Sequence, residues 1–183
     1  MHQLKKKIED TLLKLLLKKD FHEIQIVEIR KKTRISSKKF FAIFKTKEEI
    51  IISFFNRIDS ALELKIKKKK FGNNIKDNLF EICMTKLDLL YPYKKNLHNF
   101  YLSFKKKPDL FLKLYKSFFK SMERNLKLSK INLDPIKKNL KVLIFSFLYL
   151  SIIYEWLKED SSSNEKVMAI LDQRLSLIEN ILI

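Results

Sequence analysis

Along most of the chain, apolar residues recur three and four positions apart, the period that places side chains on one face of a helix. Leu4, Ile8, Leu12, Leu15 and Leu16 predict a first helix from Leu4 to Lys18. Ile26 and Ile29 predict a short second helix ending at Thr33, with Gln25 at its cap and Glu28 near its N-terminal dipole. Ile50, Ile51, Phe54, Phe55, Ile58 and Leu62 define a long helix from Lys47 to about Lys69. Leu79, Ile82, Cys83, Lys86, Leu87 and Leu90 define the next, Ile75 to Leu90, which Tyr91-Pro92-Tyr93 interrupts. Further stripes follow over Leu97 to Phe104, over Phe111 to Leu126 behind Pro108, and over Val167 to Leu182. The segment from Val142 to Tyr154 is different. It is apolar on nearly all sides, so a helix there has to be covered all round. The expected fold class is all-α.

Capping residues sharpen these limits. A serine, threonine or aspartate side chain accepts from the backbone N–H groups that a first helical turn leaves without partners. Ser36 suits a short helix, and Thr46 with Glu49 forms a capping box that starts a helix at Lys47. Asp134-Pro135 opens a helix running to about Lys158, and Ser162 with Glu165 forms a second box. The clearest boundary is the run from Lys67 to Asn74, where like charges repel and the single glycine, Gly72, stands. The expected organisation is 1–46 as a small helical domain, 47–70 as a connecting long helix, and 71–183 as a helical C-terminal domain.

Residues Thr33 to Ile50 carry the strongest functional pattern: a tight turn, a helix of one to two turns, then a capped long helix. Phe40 and Phe44, four apart, point the same way; turned inward, they leave Ser37, Lys38 and Lys39 facing out. Small polar and cationic side chains above a buried anchor are what a recognition helix in a DNA major groove requires.

Composition supports long helices, with one Gly and three Pro in 183 residues. The formal charge of +18 favours polyanions and is denser at the front, where residues 1–70 hold 20 Lys/Arg against 9 Asp/Glu. A competing reading of most of that charge is compositional, since Lys, Ile, Asn and Phe are the residues that AT-rich genomes over-supply. Cys83 is alone, which excludes an internal disulfide and a CxxC metal site and fits a reducing cytoplasm. The leucines at 12–17 lie among charges with no cleavage site behind them, and the longest uncharged apolar run is 13 residues, short of the roughly 20 that span a bilayer. A cytoplasmic protein without stable membrane insertion is expected. His2, His22 and His98 are far apart, and no glycine-rich loop or nucleophile constellation is present, so no enzyme, metal or cofactor is expected.

The run Ile35-Ser36-x-x-x-Phe40-Phe41-x-x-Phe44-x-x-Lys47-x-x-Ile50, behind two helices and ahead of an all-helical remainder, resembles the TetR family of one-component transcriptional regulators. Met84 to Leu90 and Trp156 to Ser161 are similar to the TetR-like ubiquinone-biosynthesis lipid-binding family. The first resemblance implies a homodimer, usually a repressor, whose N-terminal helix-turn-helix domains read a palindrome in double-stranded DNA. Its C-terminal domain would pair the subunits and bind a small apolar ligand. By position, the resemblance puts Ser36, Ser37, Lys38 and Lys39 at the groove and matches Lys47 to a phosphate-contacting lysine. Phe41 stands where a phosphate-touching Tyr is usual, Ile43 where His is frequent, and Arg34 where the turn has glycine. Lys39, Lys45 and Lys47 are then expected at phosphates, and Ser37 and Lys38 at base edges. Phe100, Phe104, Phe111, Tyr115, Phe118, Phe119, Met122 and Phe145 are candidates for a ligand pocket, or else simply core. Tyr149, Trp156, Leu171, Leu175 and Ile178 are candidates for the dimer interface, with burial inside one subunit an equal reading of Tyr149 and Trp156. The alternative is a lipid- or isoprenoid-binding accessory protein of quinone biosynthesis on the same fold, without DNA binding.

Overall fold

The computed structural model describes residues 1–69, 71–159 and 164–182. Among them every regular element is helical: α1 (His2–Leu16), α2 (Ile26–Thr33), α3 (Ser37–Phe41), α4 (Lys47–Lys67), α5 (Ile75–Leu90), α6 (Lys94–Lys106), α7 (Asp109–Leu128), α8 (Lys138–Lys158) and α9 (Glu165–Leu182), with a 3-10 turn at Tyr91–Tyr93. The expected all-α class is what is found. The Ser162 box falls outside the described residues. Met1–Ile58 with Pro92–Lys116 forms one compact unit, and Asp59–Tyr91 with Ser117–Ile183 a second, so α4 and α7 each contribute to both.

In the first unit, Ile8, Leu12 and Leu16 of α1 are buried together with Phe21, Ile29, Phe40, Ile50 and Phe54. Burying aromatic and branched side chains of this size stabilises by about 1.5–3 kcal/mol each. α6 packs on α1. No glycine closes α1, and its last carbonyls are instead met from α6: the Asn96 Nδ2 donates to the Leu13 carbonyl at 2.7 Å and Asn99 Nδ2 to that of Leu16 at 2.8 Å. Phe21 stacks edge-on against Phe100 at 5.0 Å, which fixes the connection between α1 and α2.

The second unit is built on contacts of α9 with α5 and α8. Asn74 caps α5 by accepting from the Asp77 amide at 3.2 Å. α4 ends at Lys67, ahead of Gly72, and no glycine has a positive φ, so the stop comes from the lysine run and not from a glycine cap. Before α8, Asp134 Oδ1 accepts from the amides of Ile136 and Lys137 at 3.0 and 2.9 Å; one turn passes before the regular ladder begins at Lys138. α8 is long and apolar enough to cross a membrane by length and composition, and half of that stretch is buried inside the protein.

A candidate nucleic-acid interface on the first unit

Local chemistry explains the shape of the head. α2 ends where Arg34 adopts a left-handed conformation, φ 56° and ψ 41°, and the Ile35 amide reaches back to the Arg30 carbonyl at 3.3 Å. This is the turn where glycine would be the easier residue. A cation at the C-terminal end of a helix dipole offsets part of the strain. Ser36 then caps α3, its Oγ accepting from the Lys39 amide at 3.4 Å. Phe40 is fully buried and Phe44 nearly so, whereas Ser36, Ser37, Lys38 and Lys39 are exposed. The two phenylalanines therefore turn the first turn of α3 outward, as their spacing predicts. Thr46 Oγ1 accepts from the Glu49 amide at 3.2 Å. The Glu49 carboxylate takes the amide of Lys45 at 2.7 Å, one residue earlier than in a regular capping box.

Around this turn lie Lys31, Lys32 and Lys45, all exposed. Phe41 is 47% exposed and leans edge-on against Phe40, so an apolar ring stands on the same surface. Lys47 behaves differently from its neighbours. Its ammonium donates to the carbonyls of Phe21, His22 and Ile24 at 2.6, 3.0 and 3.0 Å and lies 4.8 Å from the Phe21 ring centroid. Burial lowers its pKa from the ordinary lysine value, against the pull of Glu48. The side chain matched to a phosphate contact thus ties the start of α4 to the connection between α1 and α2.

Asp20 closes the same connection. Burial alone would raise its carboxyl, but hydrogen bonds from Lys106, the His22 amide and Ser103 outweigh this and bring it to about 2. The His22 ring nitrogen lies 3.1 Å from the Ser103 carbonyl.

The eight pocket candidates divide between the units. Phe100, Phe104, Phe111 and Tyr115 belong to the first, and Phe118, Phe119, Met122 and Phe145 to the second. Phe100, Met122 and Phe145 are core, while Phe111 and Tyr115 are more than one-third exposed. A recess lined by Ile75, Lys76, Leu79, Leu175, Glu179 and Leu182 has a cavity volume of about 10 Å³, room for one water, and none of the eight lines it.

Four of the five dimer candidates, Tyr149, Trp156, Leu171 and Leu175, are at most 3% exposed in the single chain. Their side chains have no surface left for a partner. Ile178 is half-buried. What α8 leaves exposed is the opposite face, Leu140, Leu143, Phe147 and Leu150, and α9 leaves Met168, Leu177 and Ile181.

The second unit also holds a polar group that the apolar pattern hid. Lys86 Nζ lies 2.6 Å from Asp59 Oδ1, both side chains at most 5% exposed, and Ser121 Oγ bridges them, accepting from Lys86 at 2.7 Å and donating to Asp59 at 2.9 Å. In the same unit, Tyr149 Oη, whose ring centroid is 5.3 Å from the Lys86 ammonium, and both polar atoms of Asn125 are buried without hydrogen-bond partners. The sequence signal was present: Lys86 sits on the apolar stripe of α5, where a lysine needs a counter-charge.

No protein-family model and no curated protein sequence matches the chain. Solved structures do. The TetR transcriptional regulator from Nitrosomonas europaea superposes with a TM-score of 0.74 at 16% identity, covering 96% of this chain and 97% of that one. A TetR transcriptional regulator from a Rhodococcus species gives 0.60 at 13% identity, over 96% and 97%. The chain therefore has the fold of TetR-type transcriptional regulators.

Proposed function

We propose, from that shared fold, that the chain is a homodimeric DNA-binding transcriptional regulator acting as a repressor. The observation that carries the reading is the geometry of α3: a buried Phe40 below an exposed first turn of Ser37, Lys38 and Lys39. Phosphate contacts from Lys39 and Lys45 would set register, and Ser37 and Lys38 would reach base edges. Two heads on successive major grooves, about 34 Å apart, require a partner subunit. The uncharged stripe Leu140, Leu143, Phe147 and Leu150 supports pairing through α8, since a second copy completes it by symmetry.

Release would follow from an effector that prefers a head spacing unsuited to the grooves. Asn125 and Tyr149, with unmet hydrogen-bonding atoms among Met122 and Phe145, support an apolar effector carrying one polar group.

The test is a fluorescence-anisotropy titration against DNA flanking the gene, at two salt concentrations, with unrelated DNA as competitor. Binding that resists competition and is lost in Lys38→Ala/Lys39→Ala is expected. Binding that unrelated DNA removes equally well reduces the head to a generic cation. The second reading, a lipid or isoprenoid carrier, is favoured by exposed Phe41 on the head; lipid found by mass spectrometry in gently purified protein that ignores DNA would select it.

A further inference from the structure

From the corner between α6 and α7 we infer a docking surface for an anionic lipid bilayer. Leu102 of α6 and Phe111, Leu112 and Tyr115 of α7 are 36–69% exposed there, Leu112 the most. The opposite face of α7 is secured by buried Leu110 and Leu114, so Phe111, Leu112 and Tyr115 face outward from its first turns. Lysines surround them: residues 101–116 contain five lysines against one aspartate, a net of +4. Lys106 and Lys113 are partnered by Asp20 and Glu48, while Lys105, Lys107 and Lys116 make no ion pair among the described residues.

The combination narrows the occupant. With Asp20 and Glu48 counted, the surface keeps a net of +2, so a second copy would set like charge against like, in contrast to the uncharged stripe on α8, where self-pairing meets no repulsion. A nucleic-acid backbone would match the lysines but leave Leu112 and Phe111 against phosphates and water. An anionic bilayer satisfies both, taking apolar side chains at the acyl boundary and lysines among the headgroups. The Lys105 ammonium lies 5.4 Å from the Tyr101 ring centroid and that of Lys116 6.0 Å from the Tyr115 centroid, so cations and aromatic rings share this surface, and long lysine side chains can extend from there to headgroups.

The experiment is vesicle flotation of the full chain with phosphatidylcholine alone and with phosphatidylcholine containing phosphatidylglycerol. Wild type is expected to float with the anionic vesicles only. Phe111→Ser/Leu112→Ser should lower that partition about tenfold, from the loss of apolar burial. Lys105→Ala/Lys107→Ala/Lys116→Ala should lower it about a hundredfold, at roughly fivefold per lysine. Unchanged circular dichroism and melting temperature show that the exposed substitutions leave the fold intact. The Lys38→Ala/Lys39→Ala protein should float as wild type does, which separates this surface from the head. Flotation of the Phe111/Leu112 variant equal to wild type would overturn the proposal in favour of general charge attraction. Loss of duplex binding with retained flotation in the triple lysine variant would assign the corner to DNA instead.

Discussion

At the scale of single residues, Lys47 and Lys39 are two lysines eight positions apart with opposite surroundings. Lys39 is exposed on α3, and the Lys47 ammonium is enclosed by three carbonyls. Lys39→Ala should lower the slope of log affinity against log salt by about one, the signature of one phosphate lost. Lys47→Met should leave that slope unchanged while lowering the melting temperature and the affinity together; a fall in slope for Lys47→Met would restore it to the phosphate contacts. Asp20 gives the pH dependence. Its carboxyl is held at about 2, below the ordinary 3.8, so its contribution is present above the ordinary value and is lost as pH falls through the lower one. Acid titration followed by near-ultraviolet dichroism should show the head loosening from about pH 4 downward toward pH 2, and Asp20→Asn should remove that step. The sequence made Ser36, Phe40 and Thr46 readable because their partners lie within four residues. Lys47 was not readable, since its carbonyl partners are 23 to 26 positions away and only the fold brings them over its ammonium.

At the scale of elements, periodicity and caps together point to the helices found among the described residues but do not orient all of them. α8 is apolar on nearly every side, so no periodic signal says which face turns inward, and the sequence leaves Tyr149 and Trp156 open between a dimer interface and the core, where the structure buries both. In α5 the stripe carries Lys86, but its partner Asp59 lies on α4, so the buried pair they form becomes visible only in the fold. Removing one partner of such a pair leaves an uncompensated charge in the core. Asp59→Leu alone should therefore cost about 3–5 kcal/mol, and Asp59→Leu/Lys86→Met much less, by denaturant unfolding. Equal costs for the single and double variants would mean that the ion pair contributes nothing beyond its packing.

At the scale of the whole molecule, the question is what covers the apolar surface that one chain leaves over. Leu140, Leu143, Phe147 and Leu150 follow helical spacing along α8 without a charge among residues 142–154. If the proposed dimer pairs through this stripe, Leu143→Lys/Phe147→Lys should yield a monomer in sedimentation velocity where wild type sediments as a dimer, with the proposed DNA affinity falling because two heads no longer bind as one. A dimer that survives this substitution places the contact elsewhere. The enclosure of certain lysines has one more consequence, for reactivity. An amine-acylating reagent would meet two populations on this chain: surface lysines such as Lys38, Lys39 and Lys107, modified promptly, and shielded ones that include Lys47, held by carbonyls in one unit, and Lys86, held by Asp59 and Ser121 in the other. The late labelling of those two amines would time the opening of each unit separately, a clock for local unfolding that needs neither operator nor effector.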